Sequence, residues 1–469
     1  MFGGGKIMSD FICDSRNIPV SDTVDVLVCG GGPAGIAAAV AAGRSGAKTM
    51  LIERANCLGG TATSSLMALV NIRVECMSGF PREFFTELSK ENKAGVTGKS
   101  VMWDVEAYKM LAEKMVMDAG VKILLYTWAS DVLVEDDKIK GVIVENKSGR
   151  QFVRAKVVVD TTGDGDIAFL SKVSFAKGRE SDNAMRPMTV LGIFDNVNLK
   201  ALKKYVDENP DDLVVDPIRS YCHLEQGEMR YDGFFHAIDQ AKTQGLIRKE
   251  TPINYFRFSS LVPSEAVEHA PVVVNSTRIF SVDGTNVQDL TNAEIEGRKQ
   301  LKEVYNACHA FIPGFENSLW VISSPYIGVR ETRRILGQYT LTYEDIAAHK
   351  TFEDAVAVMT TTDYGTAEVH GPDKGQEGSK NDSWVREMAL DLTDFSFPLG
   401  CLLNNQVKNL VVAGRCASMT HDADKYVRNM VPIALMGQVA GLYAGTLAKD
   451  GFVSVKSLQE ELKLLGVLK

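Results

Sequence analysis

Residues with types and spacings suited to chemistry fall into two groups. The first is Gly30, Gly32 and Gly35 in CGGGPAG, a GxGxxG spacing, with Glu53 following 18 residues after Gly35. In such a loop the first glycine makes a tight turn and the second lets backbone amides approach a pyrophosphate. The third lets a helix pack closely on a strand. A helix N-terminus adds about half a positive charge, which suits phosphate. A carboxylate closing the next strand accepts hydrogen bonds from ribose hydroxyls. The pair Gly59-Gly60 comes next, as a backbone passing close under a large ligand requires. The second group is far downstream. His421 in SMTHDADKYVR is of the residue type whose unperturbed side chain changes charge near neutral pH, which suits a general acid or base. Arg428, seven residues on, suits clamping a carboxylate or carbonyl. Arg330, Arg333 and Arg334 form the densest positive cluster, and their i, i+3, i+4 spacing is that of one helix face. Arg330 reads as anion-binding, Arg333 and Arg334 as ion-pair partners of Glu331, Asp345 or carboxylates of the middle segment. Tyr339 is a further candidate for relaying a proton.

These residues need elements to hold them. VDVLVCG (24–30) reads as a buried strand, PAGIAAAVAAGRSG (33–46) as a helix, and KTMLIER (48–54) as the next strand. That is a βαβ unit of about 30 residues. Helices are expected from Pro81 and from the N-cap Asp104 to the stop at Gly120. VKILLYTWA reads as one strand. Residues 130–156 alternate with period two and read as a three-stranded antiparallel meander turning at Asp136-Asp137 and Ser148-Gly149. VVVDTTGDGD (157–166) follows as a separate short strand. From about 185 to 384 the texture is mixed α+β, as in a domain inserted into another. EVHGPDKGQEGSKND (368–382) reads as a mobile connector or lid. KNLVVAGRCAS and VPIALMGQVAGLYAGTLAKDG then return to the strand-and-helix texture of the first part.

The chain has 469 residues, which suits two or three domains. Apolar content of 45% and charged content of 24% are ordinary for a globular protein. A net charge of −9 and a pI of about 5.5 argue against nucleic acid or an anionic membrane as partner. No uninterrupted apolar run reaches the ~18–20 residues of a membrane span. The N-terminal stretch lacks the apolar region of a secretory signal, so a cytoplasmic location is expected. The eight cysteines form no CxxC pair, which disfavours zinc ribbons and iron–sulfur clusters and leaves no metal site expected. They read as reduced thiols.

The glycine fingerprint, the acid, the GG pair, the meander and the strand ending in TTGDGD together resemble the two-dinucleotide-binding-fold flavoproteins, which include glutathione reductase and the fumarate reductase flavoproteins. GVRETRRILGQYTLTYEDI, KNLVVAGRCASMTHDADKYVRNMVPIALMGQVAG and DTTGDGDIAFLSKVSFAKGRE narrow the resemblance to the FAD-dependent oxidoreductases. It covers nearly the whole chain from about residue 17. It implies an α/β fold: a glutathione-reductase-like Rossmann FAD domain, discontinuous over 17–185 and 385–452, with an inserted α+β substrate domain over 186–384. The implied cofactor is FAD, contacting Gly30, Gly32, Pro33, Ala34 and Gly35 at its pyrophosphate and Glu53 and Arg54 around the adenosine ribose. Gly59, Gly60, Thr61 and Ala62 would lie beneath the ribityl and ring, with Ala129 at the adenine. Thr162, Gly163, Asp166, Gly414 and Arg415 would line the cofactor, and the helix starting near Pro432 and Ile433 would face the flavin N1/O2 edge. There a helix N-terminus stabilises the charge of reduced flavin.

Against this family pattern, the segment after the GG pair lacks the CxxxxC of dithiol reductases. It also lacks the histidine that attaches flavin covalently, so non-covalent FAD is expected. No second GxGxxG provides a domain for a bound nicotinamide nucleotide. The expected activity is hydride transfer between a carbon of a small molecule, carboxylated or carbonyl-bearing, and flavin N5, with His421, Arg428 and Arg330 catalytic and a separate electron donor or acceptor. Two other readings are an electron-transfer subunit without its own catalysis and a flavin monooxygenase. Gly414-Arg415, where monooxygenases carry a GD acid, counts against the latter.

Overall fold

The computed structural model describes residues 6–8, 11–13, 17–90, 94–97, 100–213, 229–260, 267–362, 371–373 and 392–468. Apart from residues 371–373, the stretch 368–382 lies outside them.

The chain begins its main sheet with β1 (Val20–Cys29), α1 (Pro33–Arg44) and β2 (Thr49–Ile52). Next come β3 (Lys122–Leu124) and a meander of β4 (Trp128–Glu135), β5 (Lys138–Asn146) and β6 (Gly149–Asp160). The β4–β5 turn takes positive φ at both Asp136 and Asp137, the geometry that suits a tight hairpin. Two boundaries differ from the sequence reading. VKILLYTWA is not one strand, because Tyr126 has φ 52° and the chain there turns to bond Ala55 and Glu53. Residues 157–160 are not a separate strand either. They continue β6, whose first half pairs antiparallel with β5 while residues 152–160 pair in parallel with β1.

The inserted segment builds a second, antiparallel sheet from β7 (Gly192–Asn198), β8 (Met229–Gly233), β9 (Phe256–Ser260), β10 (His269–Val274) and β11 (Leu319–Ser323), in the order β8-β9-β10-β7-β11. The helix α2 (Val287–Phe311) packs on it. The chain then returns to the first sheet with β12 (Leu410–Val412), parallel to β6, and closes with α3 (His421–Val427) and α4 (Met430–Asp450). The first sheet thus runs β3-β2-β1-β6-β5-β4, with β12 also on β6.

Strand alternation feeds two cores. Val26 and Val28 of β1 face the core shared with α1 and α4, whereas Leu27 and Cys29 face the core under the meander. The inserted sheet has its own core around Phe256, Phe258 and Phe315. Among the described residues one helix, α4, is long and apolar enough to cross a membrane. In this structure it lies buried against α1. A Cβ on Gly437 or Gly441 would stand 2.0 Å and 2.1 Å from the carbonyl oxygens of Ala34 and Ala38. Only glycine lets the two backbones come so close. The parallel strands β1, β2, β6 and β12 all end at one edge, where open α/β sheets bind ligands.

Candidate active site

At that edge lies a cavity walled on one side by the first sheet and on the other by the inserted sheet. Gly30 leaves β1 with φ 105°, and a Cβ there would sit 2.4 Å from the Thr161 carbonyl oxygen. Gly35 is tighter still, since a Cβ would meet the Gly30 carbonyl oxygen at 1.8 Å. These two glycines shape the protein. Gly32 differs: it caps α1 with no side-chain bond, and a Cβ there would meet nothing within 4 Å. The first-turn amides of α1 open into the cavity beside it. The first turn of α4, at Met430–Ile433, does the same, and its cap Asn429 makes no side-chain capping bond.

Glu53 is buried. Its carboxylate accepts the Gly31 amide at 2.5 Å and the Ala55 amide at 2.7 Å. That fixes it at the mouth of the glycine turn with lone pairs left for ribose hydroxyls. Arg54 lies between the Trp128 and Tyr326 rings, 5.2 Å and 5.6 Å from their centroids. Arg415 follows β12. Its Nη2 donates to Asp164 Oδ1 at 3.0 Å, and its buried Nη1 has no partner. An orphaned guanidinium nitrogen in the cavity wall, two uncapped helix N-termini and an open space over Gly32 suit a ligand with a pyrophosphate and an electron-rich ring edge. FAD is such a ligand, and the residues present fit it.

Of the residues expected at the cofactor, Gly30, Gly32, Pro33, Ala34, Glu53, Arg54, Gly60, Thr61, Thr162, Gly163, Gly414, Arg415, Pro432 and Ile433 line this cavity. Gly35, Gly59, Ala62, Ala129 and Asp166 do not line it. Gly59 turns the chain with φ 113°, and the Ala62 carbonyl accepts from Trp103 Nε1. Ala129 pairs with Val144 within the meander. Asp166 pairs with Arg333 at 3.0 Å. Its carboxyl is pushed up to about 6 by burial and by the neighbouring charges of Asp164 and Asp160.

The expectations for the second group need correction. His421 does not reach the cavity. It is fully buried, and its Nδ1 lies 2.8 Å from Glu331 Oε1. Glu331 also holds Arg334. Arg186, likewise buried, lies near both Glu331 and Asp424. Burial opposes ionisation of Glu331, but the His421 hydrogen bond and the Arg334 charge hold its carboxyl low. Burial and the Glu331 charge push Asp424 up. His421 therefore belongs to a buried ion cluster joining α3 to the insert. The arginines at 330, 333 and 334 do not share a helix face either. Arg333–Ile335 is a short strand paired with Phe175–Lys177, and alternation sends neighbouring side chains to opposite sides. Arg333 lies over the Phe169 ring at 4.2 Å, while Arg334 bonds Glu331 and the Met419 carbonyl. Tyr339 bonds Asp345 and Lys350 outside the cavity.

Arg330 and Arg428 do line the cavity. Arg330 bonds the Pro187 carbonyl. Burial and the charges of Arg278 and Arg428 push its guanidinium well below the usual arginine value. Two residues not anticipated join them, Arg230 from β8 and Arg257 from β9. All five residues of β9 are buried. Phe256 and Phe258 enter the insert's core, so Arg257 and Ser259 face the other way. The readable signal was an arginine at the centre of an aromatic strand, YFRFS.

A family model described as FAD dependent oxidoreductase matches residues 25–462. Among curated proteins, thiamine thiazole synthase of Methanococcus vannielii is 29% identical over 177 residues, 34% of this chain and 66% of that protein. The chain thus spans just under two thirds of the length of such relatives. Among solved structures, p-nitrophenol 4-monooxygenase PnpA of Pseudomonas putida DLL-E4 aligns over 94% of this chain and 84% of its own, at 11% identity and a TM-score of 0.48. A geranylgeranyl bacteriochlorophyll reductase-like protein of Thermoplasma acidophilum aligns over 95% and 83%, at 13% identity and a TM-score of 0.46.

Proposed function

Since this chain belongs to the FAD dependent oxidoreductase family, we propose that it transfers hydride between a carbon of a small-molecule substrate and N5 of a non-covalently held FAD. One observation carries this reading. A single cavity has a cofactor wall of glycine turns and open helix ends, faced by a wall of polar and cationic side chains from the inserted sheet. The bound FAD supplies a two-electron acceptor or donor. The chain's own residues do the rest. Arg428 and Arg330 hold and polarise a substrate carbonyl or carboxylate. The inserted sheet covers the compartment and excludes water, which strengthens those interactions. His421 is too deeply buried to handle the proton that accompanies hydride. That role passes to a group that lines the cavity.

The test is anaerobic flavin spectroscopy of the purified holoprotein against hydroxy acids, sugars, amines and enoates. Bleaching of the flavin by one class identifies a dehydrogenase for it. Reoxidation of the dithionite-reduced protein by an enoate or ketone identifies a reductase. A flavin indifferent to every substrate, but oxidised by a co-purifying redox protein, would replace this reading with that of an electron-transfer subunit.

A further inference from the structure

The inserted sheet ends on one side at β11, and among the described residues no strand pairs with its outer edge. Alternation turns Trp320 inward, 6.4 Å and 6.2 Å from the Phe194 and Tyr305 rings, and its neighbours outward. Leu319 and Val321 are 62% and 61% exposed, with Ile322 exposed beside them. The register against β7 slips at Val321, which pairs with no residue there. Proteins blunt such edges with charges, prolines, bulges or a covering element. Among the described residues β11 has the slip and none of the others. Between Glu316 and Arg330 the chain carries no charged residue, although 24% of the protein is charged. The exposed apolar surface continues past the strand. Ile295 of α2 is exposed next to Glu294, whose carboxylate accepts the Ile327 amide at 2.8 Å. Tyr326 is exposed, and the Arg54 guanidinium joins its ring to that of the exposed Trp128 on β4. Single exposed apolar side chains are ordinary, but a run of this kind marks an interface.

The charges at its two ends say what fits. Glu316, exposed, stands five residues before Val321, and Tyr326, with the Arg54 guanidinium 5.6 Å from its ring centre, stands five after. A strand laid antiparallel on a copy of itself, about a two-fold axis at Val321, sets residue 316 of each copy toward residue 326 of the other. The acid of one copy then faces the cation of the other, twice, and the uncharged middle opposes no like charges. Two copies of net charge −9 repel at long range, so a contact between them needs an acid-free centre of this kind. Stable dimers take about 800 Å² from each partner. One short strand offers less than that, and Ile295, Tyr326 and Trp128 extend it. We propose that this surface joins two copies of the chain into a two-fold dimer, with β11 antiparallel to β11 of the second copy. The inference is independent of the reaction read above, because β11 lies outside the cavity lining.

The experiment follows the mass of the FAD-loaded protein by sedimentation velocity from about 1 to 50 μM, the range in which a weak interface of this class associates. We expect a dimer. Val321→Lys, which brings two like charges together at the axis and buries them, should raise the dissociation constant about a hundredfold or more. FAD content should be unchanged. Glu316→Lys should raise it by about fivefold, and by more at low salt. Val321→Cys should cross-link to itself under mild oxidation, whereas the wild type with its own cysteines and Leu464→Cys, exposed near the chain's end, should not. A wild type that stays monomeric at about 50 μM would overturn the inference, including one that instead binds neutral phospholipid vesicles through β11. So would a dimer that Val321→Lys leaves intact, or one that cross-links at position 464 and not at 321. The wild-type mass and the cysteine pair decide the matter even where Val321→Lys does not fold.

Discussion

The two walls of the cavity differ in what they present to it. The wall from the first sheet works through backbone: amides at two helix ends, glycines that leave space, and turns fixed by strand ends. The opposite wall presents long cationic side chains, two of them on strands of the inserted sheet and two outside it. Backbone recognition depends on local spacing, because a turn and the helix after it are contiguous. Side-chain recognition is assembled from residues distant in sequence, here Arg230, Arg257, Arg330 and Arg428. The first kind can be shared by proteins with different substrates, whereas the second is where a substrate is chosen.

The contrast can be broken most sharply at Gly32. A side chain fits there without strain, and an aspartate cap favours α1 by about 0.5 kcal/mol over glycine, but it puts a negative charge where phosphate must sit. Gly32→Asp should keep or slightly raise the stability of the flavin-free protein while lowering FAD affinity by about a hundredfold or more. Flavin content and thermal melting check both halves. A variant that still purifies fully yellow would show that α1 does not receive the pyrophosphate.

Arg330→Met tests the other wall. It should leave FAD content unchanged and lower kcat/KM by about a hundredfold through lost charge-assisted contacts. The substrate-free protein should melt higher, because a buried cation repelled by its neighbours is gone. Loss of FAD instead would mean that the two walls are not separable.

His421→Ala examines the corrected residue. Stripping Glu331 of a buried donor should destabilise the protein by about 2–4 kcal/mol. Flavin reduction per folded molecule should stay within about threefold, because no catalytic group has been touched. A thousandfold slower reduction with an unchanged melting temperature would return His421 to the role of general base.

The smallest effect is expected at Asp166, which does not line the cavity. Its carboxyl is raised to about 6 from 3.8, so the folded state binds its proton more tightly than the unfolded state. Its contribution to stability is therefore full below about 4 and is lost as pH rises through about 6. Asp166→Asn should be more stable than the parent above pH 6, with the gap closing below pH 4. Its side chain is 36% exposed and paired with Arg333, so solvent screening limits the gap to about 1 kcal/mol. Thermal melts at several pH values check the sign.

The same contrast explains what was legible in the sequence. Gly30, Gly32, Gly35 and Glu53 could be read because their meaning lies in the spacing between them. The long meander and the return of the chain through β12 and α4 followed from alternation and small-residue texture. Arg230 and Arg257 could not be read the same way. They acquire meaning only when β8 and β9 pair and turn one face to the cavity. His421 misled because α3 follows a cofactor-lining strand, yet every residue of α3 except Asp422 is buried. His421 and Asp424 there meet Glu331 and Arg186 of the insert. The arginine triplet misled because i, i+3, i+4 describes a helix face only where the chain is helical. There it pairs as a strand.

The close packing of α1 against α4 has a consequence in time. The two helix ends that face the cofactor are roughly 400 residues apart in the chain, and a ribosome adding about 5–20 residues per second separates their emergence by about 20–80 seconds. Through that interval the first sheet can form around β1 and β2, but the nucleotide pocket has only one of its two electropositive ends. Capture of the flavin is thus deferred until α4 has left the tunnel. A nascent chain stalled before α4 would carry the fingerprint and hold no colour, which makes yellowness a reporter of synthesis past α4.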